Sequence, residues 1–116
     1  MTLTTVPGAL AGQVTERIAA LGLTQDEIGV IADAAGRSVS RWLRGEVVPQ
    51  KLKQRLIELA YVADLVTEVL PADRVNLWML TPNRLLEHDS PAERIRSGGY
   101  RDVLGVIEAI ADGVVV

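Results

Sequence analysis

The sequence predicts an all-α fold, and two observations support that prediction. The first is composition: 48% of the 116 residues are hydrophobic. They are mainly Ala, Leu, Val and Ile, and few of them alternate with polar residues as they do in strands. The second is a set of helix-start patterns, in which Ser or Thr precedes Pro or is followed three residues later by Glu. A chain of this length forms one domain or two small modules that share a core.

Composition also excludes several classes of protein. The chain has no cysteine, which excludes disulfides and thiol chemistry. No segment approaches the roughly 20 apolar residues that span a bilayer. The N-terminus lacks the basic residues of a signal peptide, so we expect a cytoplasmic protein. The single histidine, His88, has no nucleophile or metal-ligand cluster near it in the sequence, so we expect no catalytic residue, no metal and no cofactor.

The N-terminal segment changes character after residue 11. Residues 1–11 are rich in Thr and contain Pro7 and Gly8, so we expect them to form a flexible N-terminus. A first helix is predicted over residues 12–21, because apolar residues recur there at helical spacing. Those apolar residues are Val14, Ile18 and Leu21.

The next two predicted helices are short and follow each other closely. Thr24 and Glu27 form the pattern of a capping box, in which each side chain bonds the backbone N–H of the other residue. The helix that starts there is expected to end at Asp33, since Asp tolerates the left-handed conformation of a tight turn. A third helix is predicted over residues 36–43, with Gly45 as its left-handed cap.

Residues 50–70, after the break at Pro49, form the longest predicted helix and connect the two halves of the chain. Its apolar residues cover more than one face, so we expect burial on several sides. They are Leu52, Leu56, Ile57, Leu59, Ala60, Val62, Ala63, Leu65, Val66, Val69 and Leu70. The helix is either central to the fold or part of a homodimer interface. We favour the dimer interface, because monomers seldom expose so large an apolar patch.

The rest of the chain carries further helix-start patterns. A helix is predicted to begin after Pro71, and Thr81 followed by Pro is expected to cap a short turn through Leu86. Ser90, followed by Pro and three residues later by Glu93, has the same pattern.

The final predicted helix covers residues 100–111, because its apolar residues recur on one face. Gly113 ends it, and the β-branched residues Val114, Val115 and Val116 that follow are expected to be extended. The valines either form an exposed tail or fold back onto the core of the chain.

Charge is distributed unevenly, although the net charge is only −3. Residues 36–55 hold six basic residues and one acid, whereas residues 61–116 hold five Arg and nine Asp or Glu. The basic residues of the first segment are Arg37, Arg41, Arg44, Lys51, Lys53 and Arg55. A cluster of this kind predicts contact with phosphate, and the alternative is an ordinary solvated face.

The N-terminal half resembles the helix-turn-helix of the Cro/repressor (Xre) family. The resemblance rests on Leu23–Ile28 followed by Ser38–Trp42, and it implies a helix-turn-helix module over residues 12–49. In that family the third helix lies in the major groove of DNA. The resemblance therefore implies base contacts by Arg37, Ser38 and Arg41 and phosphate contacts by Arg44, Lys51 and Lys53.

Two residues depart from the pattern of that family. Ala35 stands where the third helix usually has a capping side chain, and Asp33 stands where the turn usually has Gly. The alternative to specific DNA binding is a module that serves only as a scaffold for folding and dimerisation.

Residues 71–116 resemble the toxin-binding domain of Xre/MbcA/ParS-type antitoxins, closest to the MbcA-like mycobacterial antitoxins. The matching pieces are Leu77–Met79, Thr81–Leu86, Ser90–Ile95, Gly98–Tyr100 and Ile107–Val116. The resemblance implies an antitoxin that neutralises a RES-domain toxin, an NAD-degrading enzyme, by placing its C-terminal tail in the toxin's active site. The residues then expected to contact the toxin are Arg84, Glu93, Arg94, Arg96, Tyr100, Gly113, Val114, Val115 and Val116. For the charged residues and Tyr100, an ordinary surface position is the alternative.

The leading hypothesis is therefore an antitoxin of a toxin–antitoxin pair. Its partners are a cognate RES-domain toxin, its own operator DNA and a second copy of itself, as a homodimer within a larger complex. The alternative is a stand-alone helix-turn-helix transcriptional repressor whose C-terminal half only dimerises, and a third option is an adaptor for an unrelated protein. The tail distinguishes them, since an inhibitor needs an exposed apolar tail and a repressor does not.

Overall fold

The computed structural model describes residues 14, 17–18, 21–44, 46–47 and 49–113. Within these ranges all regular structure is helical, which confirms the predicted all-α fold. In chain order the elements are α1 (Gln25–Ala32), α2 (Gly36–Leu43), α3 (Gln50–Val69), α4 (Ala72–Leu80), a 3-10 helix (Arg84–Leu86), α5 (Pro91–Arg96) and α6 (Tyr100–Ala111).

Several predictions fall partly or wholly outside the described residues. The flexible N-terminus over residues 1–11, the cap at Gly45 and the extended residues Val114–Val116 lie outside them. Of the predicted first helix, four residues are described: Val14, Arg17, Ile18 and Leu21. The first three are helical as expected, whereas Leu21 already lies in the turn that follows.

The start and the end of α1 follow from the predicted local chemistry. The backbone N–H of Glu27 donates to Thr24 Oγ1 at 3.0 Å, and the backbone N–H of Thr24 donates to Glu27 Oε1 at 2.8 Å, which confirms the capping box. At the other end Asp33 is left-handed, with φ 59° and ψ 48°, as the turn prediction required.

The start of α2 has no side-chain cap, as expected from Ala35. Asp26 of α1 compensates, because its carboxylate lies against the first residue of α2. A Cβ added to Gly36 would stand only 1.9 Å from Asp26 Oδ1, so the close approach requires glycine. The carboxylate there places negative charge beside the positive end of the α2 dipole.

The long helix α3 is central to the fold and packs against α1, α4, α5 and α6. Six of its apolar residues are at most 2% exposed, and burying a Leu or Val side chain among them contributes about 1.5–3 kcal/mol. They are Leu56, Leu59, Ala60, Val62, Ala63 and Val66. Burial on several sides is thus confirmed, but the prediction was wrong for Ile57, which is 51% exposed, as is Tyr61.

The link after α4 differs from the prediction. Thr81 caps no following turn, because its hydroxyl donates to the carbonyl of Leu77 at the end of α4, at 2.6 Å. The cap of the 3-10 helix is Asn83, whose side-chain oxygen accepts the backbone N–H of Leu85 at 2.9 Å. The Pro after Thr81 was therefore a misleading indication of a helix start.

The short helix α5 lies at the junction of the fold. It packs against α1, α3, α4 and α6, and its Ile95 is completely buried. The predicted capping box is confirmed, since Ser90 and Glu93 each accept a backbone N–H from the other at 3.1 Å. α6 follows and buries Val103, Val106 and Ile107 on the predicted face.

Polar contacts also join the two halves of the chain. The side-chain amide of Asn76 in α4 donates to the carbonyl of Gly22 at 2.8 Å. Arg96 of α5 lies 3.7 Å from Asp33 in the turn between α1 and α2. The predicted modules over residues 12–49 and 71–116 are therefore in direct contact. In the described part of the chain, no helix has the length and apolar character to cross a bilayer.

Candidate partner-binding and nucleic-acid surfaces

The outer face of α2 carries the residues predicted to contact DNA. Arg37, Arg41 and Arg44 are exposed, and Ser38 is half-buried. The guanidinium of Arg41 lies 3.8 Å from Glu46, just after the helix, so part of its charge is compensated. Arg37 and Arg44 have no acidic partner within ion-pair distance among the described residues.

The remaining two DNA-binding candidates lie on α3. Lys53 is half-buried in the first turns of that helix, and Lys51 belongs to the same turns, but its side chain lies outside the described set. One acid of α1 also lies beside the DNA-binding candidates of α2, since Asp26 lies against Gly36 at the start of that helix. The surface is therefore less basic than the sequence count over residues 36–55 indicated.

The C-terminal candidates are distributed over several clefts. Arg94 lines a cleft of about 420 Å³ beside the middle of α6, together with Leu85 and Arg101. Glu93 and Arg96 line a second cleft, of about 410 Å³.

Arg94 is bound within the chain. Its Nε lies 3.1 Å from Asp89 Oδ2, its Nη1 lies 2.8 Å from Asp102 Oδ2, and its Nη2 donates to the carbonyl of Leu86. Its side chain is only 17% exposed. The hydrogen bond with Asp102 raises the pKa of Arg94 above its already high ordinary value. Arg94 therefore holds three segments together, whatever else it contacts.

The loop beside Arg94 adopts an uncommon backbone conformation. Glu87 and His88 are both left-handed, with φ 55° and 71°, although neither is glycine. The backbone N–H of His88 donates to the carbonyl of Asn83 at 2.9 Å, and the bond from Arg94 to Leu86 adds a second fixed point. Such residues persist only where surrounding contacts hold them.

Glu93 and Tyr100 are also partly engaged in local structure. The backbone N–H of Ser90 donates a hydrogen bond to the Glu93 carboxylate, and the Ser90 side chain lies beside it. Both contacts with Ser90 hold the pKa of Glu93 below its ordinary value of 4.5. Tyr100 is half-buried at the start of α6 and packs against the core. Both remain accessible in part, so their predicted toxin contacts stay predictions.

Arg84 borders an apolar cleft on the C-terminal half, which we call the α4 groove. Its volume is about 530 Å³, and its apolar surface comes from Leu70, Leu77, Trp78 and Pro82. Asp73, Arg74 and Arg84 line its rim. The indole nitrogen of Trp78 is buried and has no hydrogen-bond partner among the described residues.

The sequence prediction missed the α4 groove, apart from Arg84. The available indication was Leu77, an apolar residue on a helix that buries Val75 and Met79. Leu77 is 70% exposed, more than any other large hydrophobic residue in the described part of the chain. The described residues contain no group of three or more acidic, His or Cys side chains placed to hold a metal ion.

The predicted tail begins where α6 ends. Asp112 caps the helix, and Gly113 is left-handed with φ 91°, which turns the chain out of the helical path. No atom stands within 4 Å of a Cβ added to Gly113, so the turn is not enclosed by described residues. Val114, Val115 and Val116 lie outside the described residues, and their predicted toxin contacts stay predictions.

Comparison with known proteins gives several matches. No family model matches the chain. Over 108 residues it is 59% identical to the Mycobacterial cidal antitoxin MbcA of Mycobacterium bovis, a match that covers 92% of this chain and 96% of that protein. The Mycobacterium tuberculosis protein of the same name matches with the same identity and coverage.

A solved structure is similar over the same length. It is a chain of the crystal structure of the M. tuberculosis MbcT-MbcA toxin-antitoxin complex, and it shares 58% sequence identity with this chain. The match covers 92% of this chain and 97% of the other, with a TM-score of 0.83.

Proposed function

Because the chain belongs to the MbcA family of mycobacterial cidal antitoxins, we propose that it neutralises a cognate toxin by direct binding. The toxin we propose is a RES-domain, NAD-degrading enzyme, and the antitoxin acts by placing its C-terminal tail in the toxin's active site. This mode of action requires no catalytic step from the antitoxin, and it places both proteins in the cytoplasm.

One observation carries the proposal, namely the similarity to a chain of a toxin–antitoxin complex at 58% identity and a TM-score of 0.83. The match extends over 92% of the chain, so it includes both the helix pair near the N-terminus and the C-terminal half. The choice of a RES-domain toxin rests on the resemblance of residues 71–116 to the toxin-binding domain described above.

The end of α6 supports a role for the tail. α6 is fixed against α3 and α5, and it buries Val103, Val106 and Ile107. The residues that follow, Asp112 and Gly113, are exposed. The described chain therefore leaves α6 at an exposed end, and apolar side chains gain about 25 cal/mol per Å² on entering a pocket.

The test is removal of residues 113–116. We expect the shortened chain to keep the helical content of the full chain, measured by circular dichroism, and to lose inhibition of NAD⁺ consumption by the proposed cognate toxin. Val47→Ser is the matched control, because Val47 is exposed and lies far from α6 in the sequence. Full inhibition by the shortened chain would refute blocking by the tail.

We propose binding to operator DNA as a second function, supported by the exposure of Arg37 and Arg44 on α2. In this proposal Arg37, Ser38 and Arg41 face base edges, and Arg44, Lys51 and Lys53 face phosphates. Removal of a phosphate-contacting cation lowers the slope of log affinity against log salt by about 1.

Promoter fragments of the chain's own gene test this proposal in a gel-shift titration at several salt concentrations. We expect Arg44→Ala to reduce both the affinity and the salt slope, and Arg37→Ala to relax sequence preference. Arg101→Ala is the control, since Arg101 is exposed on α6, away from α2. Unchanged binding by both α2 variants would instead favour a helix pair that serves only as a scaffold.

We also propose that the chain forms a homodimer within the toxin–antitoxin complex. The exposed side chains of Ile57 and Tyr61 lie on the outer face of α3, four residues apart. They are the part of α3 left for contact with a second copy. Light scattering after size exclusion tests this, and a dimer that Ile57→Ser leaves intact would place the contact elsewhere.

A dimer that binds its promoter but no toxin would favour the stand-alone repressor.

A further inference from the structure

The α4 groove is lined by apolar residues and by two arginines. Among the apolar residues, which include Trp78 and Pro82, Leu77 is 70% exposed. Exposed apolar surface of this kind, bordered by polar groups, marks a site of interaction with another molecule. Interfaces concentrate their binding energy in such places, where aromatic residues and arginine lie side by side.

The two rim arginines differ from most other arginines of the chain. Neither Arg74 nor Arg84 has a carboxylate within ion-pair distance among the described residues. Asp73 shares the rim, but it lies in the first turn of α4, where the helix dipole stabilises it. The arginines that do pair with a carboxylate are Arg17, Arg41, Arg55, Arg94 and Arg96.

The charge of the groove argues against a second copy of the chain as its occupant. With two arginines and one aspartate on the rim, the groove is positive, so two grooves facing each other would repel. The complementary partner is apolar and carries a carboxylate. Almost all of the residues that line the groove also belong to residues 71–116, the part of the chain proposed to bind the toxin.

We infer that the α4 groove binds an apolar segment of the toxin that carries a carboxylate, with Arg84 and Arg74 pairing with the carboxylate and Leu77 contacting the apolar side chains. This contact rests on the proposed antitoxin function and adds to it a second anchor, separate from the tail. The tail then blocks the active site, while the groove supplies affinity from a surface that is already formed before binding.

The test measures the affinity of the full chain for the proposed cognate toxin, by isothermal titration calorimetry. We expect Leu77→Ser and Arg84→Glu each to weaken binding at least about tenfold, as central interface residues do. Arg84→Lys keeps the charge and is expected to retain most of the affinity. Val47→Ser, at a residue 64% exposed in a loop, is the control for loss of an exposed apolar side chain.

Three other results would overturn the inference, and they differ in what they leave standing. If both groove variants bind the toxin with unchanged affinity, and removal of residues 113–116 abolishes inhibition, the groove is not a toxin-binding site. The proposed antitoxin function is then still supported. If the groove variants show a lower mass than the unaltered chain in light scattering, and their affinity for the toxin is unchanged, the groove binds a second copy of the chain instead. Failure of the unaltered chain to bind the toxin ends both the inference and the proposed function.

Discussion

Two parts of the fold contain tight turns between short helices, and different contacts hold those turns. The first unit is the helix pair α1–α2, and the second is formed by the 3-10 helix, α5 and α6. Each joins short helices through left-handed residues other than glycine, Asp33 in the first and Glu87 with His88 in the second. In the first unit the turn depends on main-chain bonds and on close approach at glycine. In the second it depends on Arg94, which bonds three segments at once.

The difference shows how the same residue type serves different ends in the two units. Arg37 in α2 and Arg44 at its C-terminal cap have no ion-pair partner among the described residues, so both stay available for an anionic partner. Arg94 is committed to the shape of the surface that carries the other candidates. Charged residues that look alike in the sequence thus divide into those left unpaired on the described surface, such as Arg37, and those that hold neighbouring segments in place, such as Arg94.

The largest expected effect compares equivalent core residues of the two units. Ile95→Ala in α5 and Ile31→Ala in α1 both remove side chains that are at most 2% exposed, and such changes cost about 2–5 kcal/mol. We expect Ile95→Ala to lie at the upper end, because α5 packs against four other helices. Urea unfolding measures both, and equal losses would contradict the special position of α5.

The next largest expected effect comes from Gly29 in α1, where the backbone of the following turn lies very close to the helix. A Cβ added to Gly29 would stand 2.4 Å from the carbonyl oxygen of Ala34, a backbone atom that cannot turn away. We expect Gly29→Ala to destabilise the fold by about 1–3 kcal/mol, as overpacking does. Gly105→Ala in α6 is the matched control, since nothing lies within 4 Å there. It is expected to stabilise by up to about 1 kcal/mol through helix propensity.

The two capping boxes allow a direct comparison of the same chemistry in two settings. Replacing the capping Ser or Thr by Ala costs about 1 kcal/mol. We expect Ser90→Ala to cost more than Thr24→Ala, because Ser90 is 3% exposed and Thr24 is exposed. Thermal unfolding of the two variants tests the order, and a larger loss at Thr24 would reverse it.

The smallest expected effect depends on pH. The pKa of Glu93 is lowered in the folded chain, so its contribution to stability is present at neutral pH. That contribution begins to fall as the pH drops below the ordinary value of 4.5 and is lost below the folded-state pKa. The stability difference between the unaltered chain and Glu93→Gln should therefore shrink between pH 6 and about pH 3. A constant difference would show that the Glu93 carboxylate contributes no charge-dependent stability.

The sequence predicted the features that depend on neighbours in the chain. The capping boxes at Thr24 and Ser90 and the left-handed Asp33 are local, and all three are present. It failed where the partner is distant along the chain or where two local options compete. The carboxylate of Asp26 reaches the start of α2 only because α1 and α2 pack together, and Thr81 bonds the helix behind it.

The candidate site was less predictable for the same reason. Apolar periodicity places Ile57 and Leu77 on helices, but it does not show which face the rest of the fold leaves open. The commitment of Arg94 to Asp89 and Asp102 is likewise a product of the tertiary arrangement. The predicted DNA-binding and toxin-binding residues therefore remain predictions, with the α4 groove as an addition that only the folded chain reveals.

The seating of α5 against α1 limits how toxin specificity can change. Residues 71–116 do not form a cassette that can be exchanged for that of a relative, because α5 packs on α1 and Asn76 bonds Gly22. A graft would bring in a surface fitted to another α1. A change in toxin recognition thus requires compensating substitutions in α1. The two halves of this antitoxin therefore evolve together.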